Sequence, residues 1–527
     1  MFHRALLAGI IAALPFTAFA ETVTILHVND IHSRIEPIDK YDSTCSTEDD
    51  AAGECFGGAA RLASAIAAER LAADGPLLLL DAGDQFQGSL FFTQYLGKAA
   101  AEIMNTIGFD AMAVGNHEFD EGPRVLRAFI DAVDFPVVMA NAEIEEGTEL
   151  HGAVPSHTIL EAGGQRYGVF GLLAPDTGVT SSPGPGVTFT DPIAAARAQV
   201  AALQAEGVDR IILLSHLGLP DDKRVAAAVE GIDLVVGGHS HTLLSNSAED
   251  AAGPYPVMVA APDGDTPIVQ AGAYGKYLGK IDVTFDDDGN VTAAVGDPIL
   301  LDASVPQDPA IAERVTELAV PLEAIRRDVV GQAAEPIDGS RESCRAGECA
   351  MGNLVADAML DRVKEQGISI AIQNGGGLRA SIDEGDITMG DVLTVLPFQN
   401  TLATFELTGA QIKAALENGV SGIEDGEGRF AQVAGMRYSA DTSVAPGEGR
   451  ITSVEIKEAN GWEPIDVDAV YGVVSNNFMR GGGDGYEVFT EAQNAYDYGP
   501  GLEVVFAAYL EKLGEVTPAL DGRITVK

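Results

Sequence analysis

Five short aliphatic runs, each ending in residues that ligate metals, constrain this chain more than any other feature. They are VTILHVNDIHS with Asp30 and His32, LLLLDAGD with Asp84, AMAVGNHEFD with Asn116, His117 and Asp120, RIILLSHLG with His216, and IDLVVGGHSH with His239 and His241. Aliphatic runs of this length, bounded by Gly, Asn and Asp, read as strands buried on both faces. Sites in α/β proteins gather outside the carboxyl ends of such strands. Imidazoles, carboxylates and one amide drawn from five strand ends therefore predict a binuclear metal site along one rim.

The residue types sharpen that expectation. Asp30 and His32, two positions apart, share a side wherever the backbone stays extended. Asp84 is a carboxylate placed to bridge two cations roughly 3.5–4 Å apart. Asn116 offers a neutral oxygen, while His216 and His239 offer nitrogens, a mixture suited to Zn, Mn or Fe rather than Ca or Mg alone. His117 adjoins a donor, and Asp120 three residues on can accept a hydrogen bond from its other ring nitrogen. That dyad would orient the imidazole and raise its basicity, and His117 so held looks like a catalytic group, able to bind a phosphate or assist a leaving oxygen as an acid.

Residues 1–20 carry Arg4, an apolar stretch and Ala18-Phe19-Ala20, the pattern of a secretory signal peptide, so the mature chain is expected to begin at Glu21 in a periplasmic or secreted setting. No apolar tail follows Asp521, so no membrane anchor is expected. Four cysteines fit an oxidising compartment. Cys45 pairing with Cys55 and Cys344 with Cys349 is the expected one of three connectivities, each pair being close in sequence. The net charge of −47 argues against nucleic acid or an anionic membrane as partner. An anionic substrate would need a local inversion of that field, from bound cations and a few placed arginines.

Strand-like and helix-like segments alternate across residues 21–307, an α/β unit. A Gly-free, helix-spaced stretch over 308–329 reads as a linker helix with Pro321 as a kink. A second α/β region fills 330–527, with strands in GISIAIQN, TLATFELTG, MRYSAD, ITSVEIK and AVYGVVSNN and a helix begun by Thr408. Three of its segments stand out: SCRAGECAMGN, QNGGGLRASI and SNNFMRGGGDGY. Arg345 lies between two cysteines and Arg379 follows a Gly-rich turn, each presenting a planar fork suited to phosphate oxygens.

The blocks D-x-H, G-D, G-N-H-[ED], H and G-H-x-H, in that order from Asp30 to His241, resemble the calcineurin-like metallophosphoesterase family. The later segments, with GDITMGDVLTVLPFQNTLATFELTG, resemble the C-terminal domain of 5′-nucleotidases. The resemblance implies an N-terminal α/β sandwich of two sheets flanked by helices, the linker, and a C-terminal α/β substrate-binding domain. It implies two divalent ions (Zn, Mn, Fe or Co), one held by Asp30, His32, Asp84 and His241, the other by Asp84, Asn116, His216 and His239. It further implies that Arg345 and Arg379 meet the phosphate or ribose, Asn374 the base and Asp484 the ribose hydroxyls, with Phe398 and Phe478 sandwiching the base. The expected activity is hydrolysis of nucleoside 5′-monophosphates. A broader nucleotide phosphohydrolase acting on UDP-sugars, di- or triphosphates or 2′,3′-cyclic nucleotides is the rival within enzymes, and a non-catalytic nucleotide-binding or adhesion protein the rival outside them.

Overall fold

The computed structural model describes residues 21–527 apart from 40–43, 46, 176, 288, 399, 459–460 and 498. The predicted signal peptide lies outside the described residues. Two sheets form the first half. One runs, in spatial order, Val291–Gly296, Tyr277–Phe285, Glu21–Val28, Leu77–Asp81, Ala111–Ala113 and Val137–Val138, its last four strands parallel. The other runs Val257–Ala261, Gly264–Val269, Leu234–Gly237, Arg210–His216, Gln165–Leu173 and His157–Ala162, with its central strands parallel.

The sheets stack face to face, and side-chain alternation explains why their strands read as unbroken aliphatic runs. Leu78 and Leu80 point into the inter-sheet core with Val169, Ile212 and Leu234. Leu79 points the other way, under helices Ala59–Ala72 and Lys98–Ile107 through Leu62, Ile66 and Ile103. On the far side Ile211, Leu213 and Phe170 pack beneath helices Pro192–Ala205 and Leu219–Ala228. Each such leucine or isoleucine contributes about 1.5–3 kcal/mol relative to exposure. Burial on both faces leaves a strand no polar face. All five runs are parallel strands, so their carboxyl ends meet on one rim.

The predicted linker helix is broken. Asp308 caps helix Pro309–Ala319 by accepting from Ala310 N and Ile311 N, and a short helix, Leu322–Ile325, restarts after Pro321. Proline has no N–H to continue the ladder, which accounts for the break. Val329, placed in the linker by sequence, opens strand Val329–Ala333 and pairs with Thr388.

Beyond it lies a five-stranded sheet ordered Ala431–Ala434, Ile370–Asn374, Val470–Asn476, Leu402–Thr408 and Gln493–Tyr496, with smaller sheets of three and four strands. Helices Ala350–Val363 and Leu502–Leu513 cover one face and helix Gly409–Gly419 the other. Thr408 caps the last of these in a reciprocal box with Gln411. Disulfides join Cys45 to Cys55 and Cys344 to Cys349. Leu90 and Ile325 pack against the cores of both halves.

Candidate active site

The predicted donors converge at the carboxyl rim of the two stacked sheets. Three groups of ligand atoms lie within 4.8 Å of one another: Asp30, His32 and His241; His32, Asp84 and His117; and Asp84, His216 and His239. Asp84, common to two groups, lies between the others, with Oδ2 3.8 Å from His32 Nε2 and 3.0 Å from His216 Nε2. Asn116 Oδ1 is 3.2 Å from His216 Nε2 and 2.8 Å from His239 Nδ1.

Hydrogen bonding tests whether this cluster suits a cation. His216 Nδ1 lies 2.7 Å from the carbonyl of Ala82, and a carbonyl only accepts, so Nδ1 carries the proton. In the neutral ring Nε2 then turns its lone pair toward the Asp84 carboxylate and the Asn116 oxygen. His32 repeats the arrangement: Nδ1 donates to Phe86 O at 3.2 Å, and Nε2 faces His241 Nε2 at 3.0 Å. Buried acceptors facing one another need a cation or a proton between them. The donor set fits divalent metals of the Zn, Mn, Fe or Co type.

The local backbone is bent to aim these groups. Asp30, His32, Asp84, His239 and His241 all have positive φ, between 49° and 71°. Such strain persists only where the surroundings hold it, and it clusters at functional sites. A side chain on Gly115 would run into the Asp84 carboxylate, which explains the glycine before Asn116.

His117 begins a short 3-10 turn, His117–Phe119. Its Nδ1 is 2.6 Å from Asp120 Oδ2, and Asp120 Oδ1 accepts from Ser181 Oγ at 2.8 Å. Its Nε2 is buried with no hydrogen-bond partner among the described residues. Burial pulls the imidazole down, but the charges of Asp120 and Asp84 outweigh it and hold the group at about 9.

Sequence reasoning missed the residues that hold this rim in place. Glu118, fully buried, accepts from four backbone N–H groups: Gln85 at 2.8 Å and Phe86 at 3.2 Å on Oε1, Asp84 at 3.0 Å and Gly115 at 2.7 Å on Oε2. One carboxylate thereby locks the Asp84 loop to the Asn116 loop. Burial and the neighbouring Asp84 charge push it up to about 7 against the pull of those N–H groups. Asn29 donates to Asp30 Oδ2 at 2.7 Å and accepts from Ala271 N. The only signal for either was a polar residue next to a donor.

The C-terminal residues gather separately. Arg345, buried in the loop closed by Cys344 and Cys349, donates to Gly426 O at 3.3 Å. Asn374 ends strand Ile370–Asn374 and donates to Asp484 Oδ2 at 2.7 Å, so its amide holds that carboxylate. The Arg379 guanidinium sits 5.3 Å from the Phe398 ring centre, and Phe478 stands 46% exposed on the turn Asn477–Arg480. All six line one cleft of about 1050 Å³, shared with Arg34, Ser89, Tyr274 and Arg326 from the other half and the linker. None of the seven predicted metal donors lines it, so rim and cleft adjoin without merging.

Residues 23–243 match the family model for calcineurin-like phosphoesterases, and residues 329–491 that for the 5′-nucleotidase C-terminal domain. The chain is 38% identical to the 5′-nucleotidase of Bos taurus over 95% of its own length and 90% of that protein. It is 36% identical to the snake venom 5′-nucleotidase of Naja atra over 95% of this chain and 98% of that one. Among solved structures, the 5′-nucleotidase precursor of Thermus thermophilus is 42% identical with a TM-score of 0.62, over 96% of this chain and 99% of that one. The NAD nucleotidase of Haemophilus influenzae is 26% identical with a TM-score of 0.79, over 96% and 100%. The chain belongs to the 5′-nucleotidase family, joining a calcineurin-like phosphoesterase domain to a 5′-nucleotidase C-terminal domain, and is a metal-dependent phosphoester hydrolase.

Proposed function

We propose that this protein hydrolyses nucleoside 5′-monophosphates to nucleoside and phosphate, outside the cytoplasm. The observation that carries the reading is one chain holding both a buried rim of convergent candidate metal donors and a neighbouring cleft whose lining includes Phe398, Phe478, Arg345, Arg379 and Asp484. Asp30, His32, Asp84 and His241 would hold one cation, and Asp84, Asn116, His216 and His239 the other. When bound, two such cations acidify water and offset charge on phosphoryl oxygens. His117, fixed by Asp120 through Nδ1, offers Nε2 as the donor to a phosphoryl or leaving oxygen. Residues 21–307 would be the catalytic unit and 330–527 the recognition unit. Arg345 and Arg379 would receive the phosphate or ribose, Asn374 and the two phenylalanines the base, and Asp484 the ribose hydroxyls. Because rim and cleft are separate, turnover requires the recognition unit to rotate about the linker and bring phosphate to the rim. Export is supported by the Ala18-Phe19-Ala20 signal and by a relative named as a venom protein.

A broader nucleotide phosphohydrolase is the second reading. It is favoured by the cleft's size, about 1050 Å³, just above the roughly 300–1,000 Å³ usual for small-molecule sites. Phosphate release from AMP, ATP, UDP-glucose and 2′,3′-cAMP, before and after chelation, tests both. A clear preference for AMP, lost on chelation, supports the first. Equal rates on all four favour the second, and rates insensitive to chelation contradict both.

A further inference from the structure

Eleven non-glycine residues among those described have positive φ, and five of them are the rim donors named above. Tyr274 is another, at φ 58°. For Asp, Asn or His this conformation is uncommon, but for a bulky aromatic it is a genuine outlier, and glycine would adopt it freely. Something about the side chain must favour tyrosine there.

The ring's surroundings supply the reason. Its centre lies 5.7 Å from that of His32 and 5.4 Å from that of His241, at interplanar angles of 52° and 82°. The guanidinium carbon of Arg34 sits 5.0 Å from the same ring centre. Backbone contact completes the fit, because Tyr274 N donates to Asp30 O at 2.7 Å. Three residues of one donor group, Asp30, His32 and His241, therefore touch one strained tyrosine, which also lines the cleft. His216 and His239, across the rim, pack against each other at 5.1 Å.

We infer that Tyr274 is a positioning residue for one metal site only: its ring fixes the orientation of the His32 and His241 imidazoles. The inference rests on reading Asp30, His32, Asp84 and His241 as one ligand set. Outer groups that orient ligands change metal affinity by roughly 10–100-fold when removed. Tyr274→Gly removes the ring and relieves the backbone, so structural and positioning roles give opposite outcomes. Tyr274→Phe keeps the ring and removes the hydroxyl.

The test is calorimetric titration of Mn²⁺ into chelator-treated full-length protein, with melting temperatures measured alongside. Wild type should take up two ions. Tyr274→Gly should weaken one uptake step by roughly 10–100-fold and leave the other unchanged, with the metal-free melting temperature little altered. Tyr274→Phe should bind as wild type does. Unchanged uptake in Tyr274→Gly would overturn the inference, as would both steps weakening together with a fall in melting temperature. Loss of a step in Tyr274→Phe would overturn it by assigning the effect to the hydroxyl. A wild-type protein that took up no Mn²⁺ would overturn the metal reading itself and this inference with it.

Discussion

At the rim, Asp30, His32, Asp84, Asn116 and His216 are each at most 2% exposed, whereas across the cleft Phe478 is 46% exposed and Arg379 stands open to solvent. Five of the seven rim donors have positive φ, against Asp484 alone of the six cleft residues, and groups such as Glu118 and Asn29 tie the rim. Of the six cleft residues, Arg379 and Asp484 adjoin Gly-rich turns, Asn374 donates to Asp484, and the Arg379 guanidinium lies against the Phe398 ring. The contrast fits the roles proposed for the two regions. Charge developing on a phosphoryl group is offset best by groups fixed before the reaction begins. A base held by stacking tolerates variation, because every base has a π face.

The two regions should therefore fail differently. Asp84→Ala should have the largest effect, removing the carboxylate common to two donor groups and the acceptor for His117 N. Hydrolysis of every substrate should fall to the level of chelated wild type, measured as phosphate release beside metal content by elemental analysis. Near-normal turnover with full metal occupancy would exclude a two-metal centre. His117→Ala comes next, with kcat lower by roughly 10²–10⁴-fold and metal content unchanged. Metal lost in step with activity would make His117 a ligand. Glu118→Gln should act on stability first. The new amide turns an N–H donor toward backbone N–H groups, at a cost of about 1–3 kcal/mol or more. Denaturant unfolding of the metal-free protein reads that cost, and an unchanged midpoint would show that the loops hold without the carboxylate.

Which parts were legible in the sequence follows the same division. Both-face burial writes a strand as an unbroken aliphatic run, and metal ligation restricts residue types severely, so the rim stood out from Asp30 to His241. Strands of two or three residues, such as Val137–Val138, Glu515–Val516 and Ile524–Val526, are too short to show any period. Gly461–Pro464 carries a proline that argues against a strand, tolerated because it lies at a sheet edge. Tyr274 sits in the loop sequence AGAYGK, and nothing local marks it; its contacts with His32 and His241 exist only after folding. Glu118 is adjacent to His117, yet three of its four donors come from residues 84–86. The separation of rim from cleft depends on how the two halves dock, which no local pattern encodes.

Division of labour between rim and cleft is tested most directly by the double variant Phe398→Ala/Phe478→Ala, with kcat and KM determined for AMP and for p-nitrophenyl phosphate. Losing one stacking face costs about 1–3 kcal/mol. AMP hydrolysis should therefore weaken by an order of magnitude or more, mainly through KM, with some loss of kcat if base binding helps hold the halves closed. Turnover of p-nitrophenyl phosphate, which has no base to stack, should stay near wild type. Equal losses on both substrates would contradict the division, assigning the phenylalanines to the core and leaving the cleft without its role in choosing nucleotides.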